Sequence, residues 1–158
     1  MTNTSRKVAR KALGVLLSAA LVGDGKLASA VYDYVPRTFT ASPVVCVGSL
    51  STAPAGQGLG TIGPAREDFE FQISSFVALA ESDTYTASTA EDLLDDIEAV
   101  IRGVIRANQT NAAWKIMRFQ GQPKSTLPGN KTRIVPVKIG GKQYNLEAIT
   151  VTMEIYDA

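Results

Sequence analysis

Between residues 5 and 22 the apolar positions recur every three or four residues. Ala9, Leu13, Leu16, Leu17, Ala20 and Leu21 fall on one helical face, and Lys7, Lys11, Gly14 and Ser18 on the other. This spacing predicts an amphipathic helix over about 5–22, capped by Thr4 or Ser5 and ended at Gly23 or Gly25. The same period returns at about 89–107, where Leu94, Ile97, Ile101, Val104 and Ile105 form a stripe that Leu93 and Val100 widen. Ser88 and Glu91 have the spacing of a capping box at its start. Acidic residues fill its first half, and Arg102 and Arg106 lie near its end, an order that complements the helix dipole. Glu98 and Arg102 are placed for an i, i+4 ion pair, and Ala99 and Gly103 leave room for another backbone to come close.

Elsewhere the period drops to two. Phe69, Phe71 and Ile73 alternate with Glu70, Gln72 and Ser74, which predicts a strand over 68–79. Its phase blurs at Ser74-Ser75, so either a bulge lies there or Ser75 faces inward. The run SPVVCVGSL is apolar on both faces and predicts a short central strand. Before it, Pro36 pushes Val35 in VYDYVP into extended backbone. WKIMRF (114–119) and TRIVPVKI (132–139) read as strands, the second confined to an edge or a bulge by Pro136. Gly140-Gly141 is a two-residue hairpin turn into QYNLEAITVTMEIY. There Ile149, Val151, Met153 and Ile155 face one way, and Thr150, Thr152 and Glu154 the other. The order of elements predicts one α+β domain over residues 1–158, with a mainly antiparallel sheet and both helices packed on one face. A glycine- and proline-rich loop spans 49–67, unusually long for a compact domain.

Composition adds little to this, but charge adds a pattern. The net charge is +1. Residues 1–30 carry five basic groups against one acidic, residues 31–110 four against eleven, and residues 111–158 seven against three. Such segregation suits surfaces that meet complementary surfaces, and the acidic helix of one copy against basic residues of a neighbour is a candidate contact. Asp92, Asp95, Asp96, Arg102 and Arg66 are candidate contact residues on this ground, as are Lys131 and Arg133 in the basic C-terminal third. Strand alternation scatters the basic groups of that third over both faces, so no specific nucleic-acid platform is expected.

Catalytic chemistry is poorly supplied. The chain has no histidine, the commonest general base and metal ligand. Cys46, the sole cysteine, lies in an apolar run with no partner to activate it, so it is expected to be a buried, inert thiol. GLGTIG (58–63) matches the dinucleotide fingerprint at Gly58, Gly60 and Gly63. That fingerprint needs a strand running into the glycines and a helix starting at them, whose amides face the pyrophosphate. Here a strand pattern follows instead. Neither a cofactor nor a metal is expected. Leu59 and Ile62, apolar at the tip of the long loop, point to docking rather than a free loop.

The front end permits two readings. RKVARK, the apolar run ALGVLLSAALV and Ala28-Ser29-Ala30 imitate a secretion signal, which would make the chain a secreted or periplasmic α+β binding domain once residues 1–30 are cleaved. Asp24 and Lys26, between the apolar run and that site, and the one-sided stripe favour a retained packing helix instead. The run is too short to span a bilayer.

Together, the amphipathic helix ending in GDGKLAS, the segments VYDYVP and SPVVCVG, a strand, the acidic helix of about twenty residues and the closing strands resemble the tail-completion or tail-terminator proteins of long-tailed bacteriophages. VYD-x-VP followed by P-V-V-x-V is the most specific part, and element order carries the rest. The resemblance implies a structural, non-enzymatic virion protein, assembled in the host cytoplasm and placed at the neck. It implies a ring of copies, usually six, on the tail tube protein. Such a ring ends tube polymerisation and meets the head–tail connector or stopper, with DNA passing through its lumen without specific binding. Lys124, Lys131 and Arg133 are then candidates for a basic lumen lining, and loop 49–67 and the C-terminal strands for contacts along the ring axis.

Overall fold

The computed structural model describes residues 6–54, 66–79, 87–119 and 134–156. In chain order these form α1 (Arg6–Leu21), β1 (Ala30–Tyr32), β2 (Val44–Pro54), β3 (Arg66–Ala78), α2 (Ala87–Ala107), β4 (Ile116–Phe119), β5 (Ile134–Ile139) and β6 (Lys142–Tyr156). The strands make a sheet of order β1-β2-β3-β6-β4, with β5 also on β6. Only β1 and β2 run parallel; the other pairs are antiparallel. The fold is therefore α+β, as the periodicities predict.

Strand alternation sorts the sheet into two faces. Val45 and Val47 of β2, Phe69, Phe71 and Ile73 of β3, and Ile149, Val151 and Met153 of β6 all enter one core cluster. Both helices pack on this face. From α1 come Ala9, Leu13, Leu17 and Leu21, and from α2 Ala90, Leu94, Ile97, Ile101 and Ile105, all fully buried. Fully burying side chains of Leu or Ile size contributes about 1.5–3 kcal/mol each, so neither helix is an ornament on the sheet. Gly14, placed by periodicity on the polar face of α1, is buried as well. The chain after β1 passes there: a Cβ on Gly14 would stand 3.4 Å from the Cβ of Asp33. Past Leu21 the chain turns through Gly23 (φ 137°) and Gly25 (φ 71°), conformations open to glycine. The Ala28 amide then donates to the Leu21 carbonyl (2.9 Å), closing the turn into β1. The caps expected at Thr4 or Ser5 lie outside the described residues.

The opposite face of the sheet holds a smaller cluster of Phe39, Val44, Cys46, Phe76 and Tyr144. Phe39 stacks on Phe76 and Tyr144 with ring centroids 4.8 and 5.4 Å away. This is why β2 reads as apolar on both faces near its start: it lies between β1 and β3, with a core on each side.

Three expectations change. First, β2 and β3 are longer than their hydrophobic patterns suggest. They stay paired out to Pro54↔Glu67, so much of the stretch expected as loop 49–67 is hairpin. Residues 48–54 (GSLSTAP) carry little apolar signal, and backbone pairing with β3 and side-chain hydrogen bonds at Ser49, Ser51 and Thr52 hold them. The irregularity falls in β2, between Ser49 and Ser51, and not at Ser74-Ser75. There β3 runs straight through its pairing with β6 and Ser75 is buried, the second of the two alternatives for that step; Ser74 is buried as well. Second, β4 starts at Ile116 rather than at residue 114. Trp114 precedes it, and its indole N–H donates to the Asn108 carbonyl (2.9 Å), tying the end of α2 to the sheet. Third, α2 begins at Ala87, ahead of the expected Ser88 cap.

The C-terminal hairpin agrees with its sequence. β5 pairs only with β6, which makes it the edge that Pro136 requires. Gly140 and Gly141 have φ of 57° and 81°, both positive as a type I′ turn needs.

Candidate partner-contact surfaces

Each helix buries one side and leaves the other to solvent. On α1 the outward side carries Lys7, Val8, Lys11, Val15 and Ala19. Val8 is 46% and Val15 69% exposed, the two large apolar residues on that side. Arg6 and Arg10 lean the other way: their guanidinium groups donate to Thr52 Oγ1 (3.0 Å) and Ser49 Oγ (3.1 Å) of β2. The charges that α1 presents outward are therefore Lys7 and Lys11. Lys11 stands 3.9 Å from Asp33 in a largely solvated pair of little energetic weight.

The outward side of α2 is acidic for its first half. Asp92, Asp95 and Asp96 are exposed, as the sequence implies, followed by Ala99 and Gly103. A Cβ on Gly103 would meet nothing within 4 Å. Arg102, also a candidate contact residue, makes the i, i+4 pair that its spacing predicts. It bonds Glu98 one turn earlier (2.5 Å), and its guanidinium lies over the Phe119 ring, 4.9 Å from the centroid. Arg66 opens β3 opposite Tyr156 rather than lying in a loop. Leu59, Ile62, Lys124, Lys131 and Arg133 lie outside the described residues, as do the glycines of GLGTIG. The elements on either side of those glycines, β2 and β3, pair antiparallel as a hairpin, whereas a dinucleotide site needs a helix after the glycines.

Periodicity did not single out the surface beside α1. Lys11, Gly14, Val15 and Ser18 face Val31, Tyr32 and Asp33 across a groove of about 400 Å3. Beyond it Tyr34 (55% exposed) and Val35 (54%) extend the apolar rim. Both belong to VYDYVP, whose first residues form β1. Spacing could have flagged α1: Val8 and Val15, seven residues apart, share one helical side.

Two groupings invite a chemical reading. Asp95, Glu98 and Glu147 bring carboxylate oxygens within 4.8 Å of one another, an all-oxygen set of the kind hard cations use. The Arg102 guanidinium on Glu98 already supplies positive charge there, which competes with a cation. Cys46 is fully buried, and burial pushes its thiol from 9.0 to about 12, so it stays protonated at neutral pH as expected of an inert cysteine. Across the sheet, Glu154 is buried and pairs with Arg118 (3.0 Å), joining β4 to β6.

No helix among the described residues is long and apolar enough to cross a membrane. No protein-family model matches the chain, and no curated protein sequence matches it.

Proposed function

We propose that the chain is a structural protein of a long-tailed bacteriophage virion, forming a ring on the tail tube that ends tail polymerisation and joins the tail to the head connector. It acts by presenting surfaces to copies of itself and to its two axial partners, and it transforms no substrate. The observation that carries the reading is a stretch that resembles tail-completion proteins, placed within this fold. VYDYVP and SPVVCV follow an amphipathic helix and supply β1 and β2, side by side in parallel. Beyond β1 the first segment leaves Tyr34 and Val35 exposed at the sheet margin, apolar surface open to a partner. The separation of charge between helices supports a ring, in which every copy offers one patch and receives another. The interior of such a ring lets DNA slide and needs no specific grip.

The test is genetic and structural. A phage lacking the chain should accumulate filled heads and separate tails, many of them overlong, and labelled chain should appear at the neck of complete particles. A second variant shortens the β2–β3 connection within residues 55–65, which leaves the paired register from Pro54↔Glu67 inward untouched. It should fold yet fail to join heads to tails. Normal particles without the chain, or label anywhere but the neck, would end this reading.

A further inference from the structure

Within the ring reading, we propose that the outward side of α1 docks on the outward side of α2 of a second copy of this chain. The α1 side offers Val8 and Val15 as apolar knobs, flanked by Lys7 and Lys11. The α2 side offers Ala99 and Gly103 as the place where a helix comes close, with Asp92 and Asp96 beside them. The match is threefold. Valines at i and i+7 stand on one line along α1, with 46% and 69% of their surface exposed to solvent. Ala99 and Gly103 are exposed, and the space above Gly103 is open to 4 Å. The charged residues of α1 are all cations and those of α2 between residues 91 and 98 all anions, so like surfaces repel and unlike ones attract.

The occupant is a second copy because both halves of the match are on this chain and cannot meet each other within it. The two helices lie on the same sheet face, with their outward sides turned away from it. Two different patches of one chain form a heterologous contact that closes when the rotation per copy divides a full turn. The contact is also short: α1, at 16 residues, is about 24 Å long at 1.5 Å per residue. Its charges lie at the rim, where salt screens them over about 10 Å at 0.1 M. Association through it is therefore salt-sensitive.

The experiment is a charge exchange on the full chain, read as solution mass by light scattering at low salt. Lys7→Glu with Lys11→Glu makes the α1 side acidic; Asp92→Lys with Asp96→Lys makes the α2 side basic. All four positions are exposed, and a circular dichroism spectrum unchanged from the unsubstituted chain confirms the fold. The unsubstituted chain should self-associate, and each variant alone should lose about 100-fold in association, because like charges then face each other. An equimolar mixture of the two should recover it, since each variant now complements the other. Val15→Asp, which changes no helix-terminal charge, should weaken association as well. The inference is overturned if the unsubstituted chain stays monomeric at the highest concentration reached, if either charge variant associates as before, or if the mixture gains nothing over its components. A mass stopping at two copies, with the exchange behaving as stated, would keep this contact and sink the ring instead.

Discussion

Replacing Leu13 of α1 by alanine asks whether the first helix belongs to the folded core. Leu13 is fully buried among the residues that join α1 to the sheet, and it neighbours Leu17, equally buried, one turn on. Deleting the buried part of a leucine side chain costs about 2–5 kcal/mol, from lost transfer energy and the cavity left behind. Taking about 3 kcal/mol and a urea dependence of about 2 kcal/mol per molar, the unfolding midpoint should fall by about 1.5 M. Trp114 is the sole tryptophan, 2% exposed and on the β4 side of the sheet, so its fluorescence reports loss of the whole fold rather than of α1 alone. Val15→Ala is the internal control. It lies two residues on, but its side chain is 69% exposed, so its midpoint should move by less than about 0.3 M, as for surface changes within about 0.5 kcal/mol. A Leu13→Ala midpoint no lower than that of Val15→Ala would refute the packing of α1. The same packing predicts that a chain beginning at residue 31, which lacks Ala9, Leu13, Leu17 and Leu21 together, fails to give a cooperative transition.

Other expectations follow from single contacts. Arg118→Ala removes the guanidinium from the buried Glu154 carboxylate; it should destabilise by about 1–3 kcal/mol in urea titration, and Arg118→Lys should restore part of the loss. Gly140→Val strains a turn residue at φ 57° and drives a Cβ to 3.0 Å from Thr38 Cγ2; unfolding midpoints should show a loss of at least about 1 kcal/mol. Cys46 should stay unreactive toward a thiol reagent at pH 8 in the native chain and react promptly in denaturant. Its folded thiol titrates near 12 against 9.0, so this residue's contribution is complete below pH 9 and lost as pH rises toward 12. Stability from alkaline denaturation curves should decline over that window.

What the sequence reveals of this fold depends on how the information is written. α1, α2, β3 and β6 announce themselves because each buries one side, and burial imposes a period of 3.6 or 2 on the apolar residues. The Gly140-Gly141 turn is legible because positive φ admits few residues. The outer half of β2 is not, since Gly48 to Pro54 are strand by virtue of a partner, β3, and carry no stripe of their own. The parallel pairing of β1 on β2 was equally hidden: three residues hold no period, and their placement depends on α1 above them. Of the contact surface, the acidic side of α2 could be read from composition and position, and Asp92, Asp95 and Asp96 are where that reading put them. Of the two contacts of Arg102, the i, i+4 pair with Glu98 is legible from spacing, while Phe119 comes alongside only once β4 is laid down. The exposed Lys7 and Lys11 lie on α1, on the same sheet face as the acidic helix, while Lys131 and Arg133 of the C-terminal third lie outside the described residues.

One side of β6 is shared by two short strands in series. β5 holds it from Lys142 to Glu147, and β4 from Val151 to Glu154. Phe119 lies opposite Val151 and Ile134 opposite Glu147, four strand positions or about 14 Å apart along β6 at 3.4 Å per residue. Both anchor points are fixed by β6 whatever lies between them, so a graft between them costs little, since closure entropy grows only with the logarithm of length. An epitope or a fluorescent reporter inserted within residues 120–133, or an exchange of Lys124, Lys131 and Arg133, leaves every paired residue of β4, β5 and β6 unaltered.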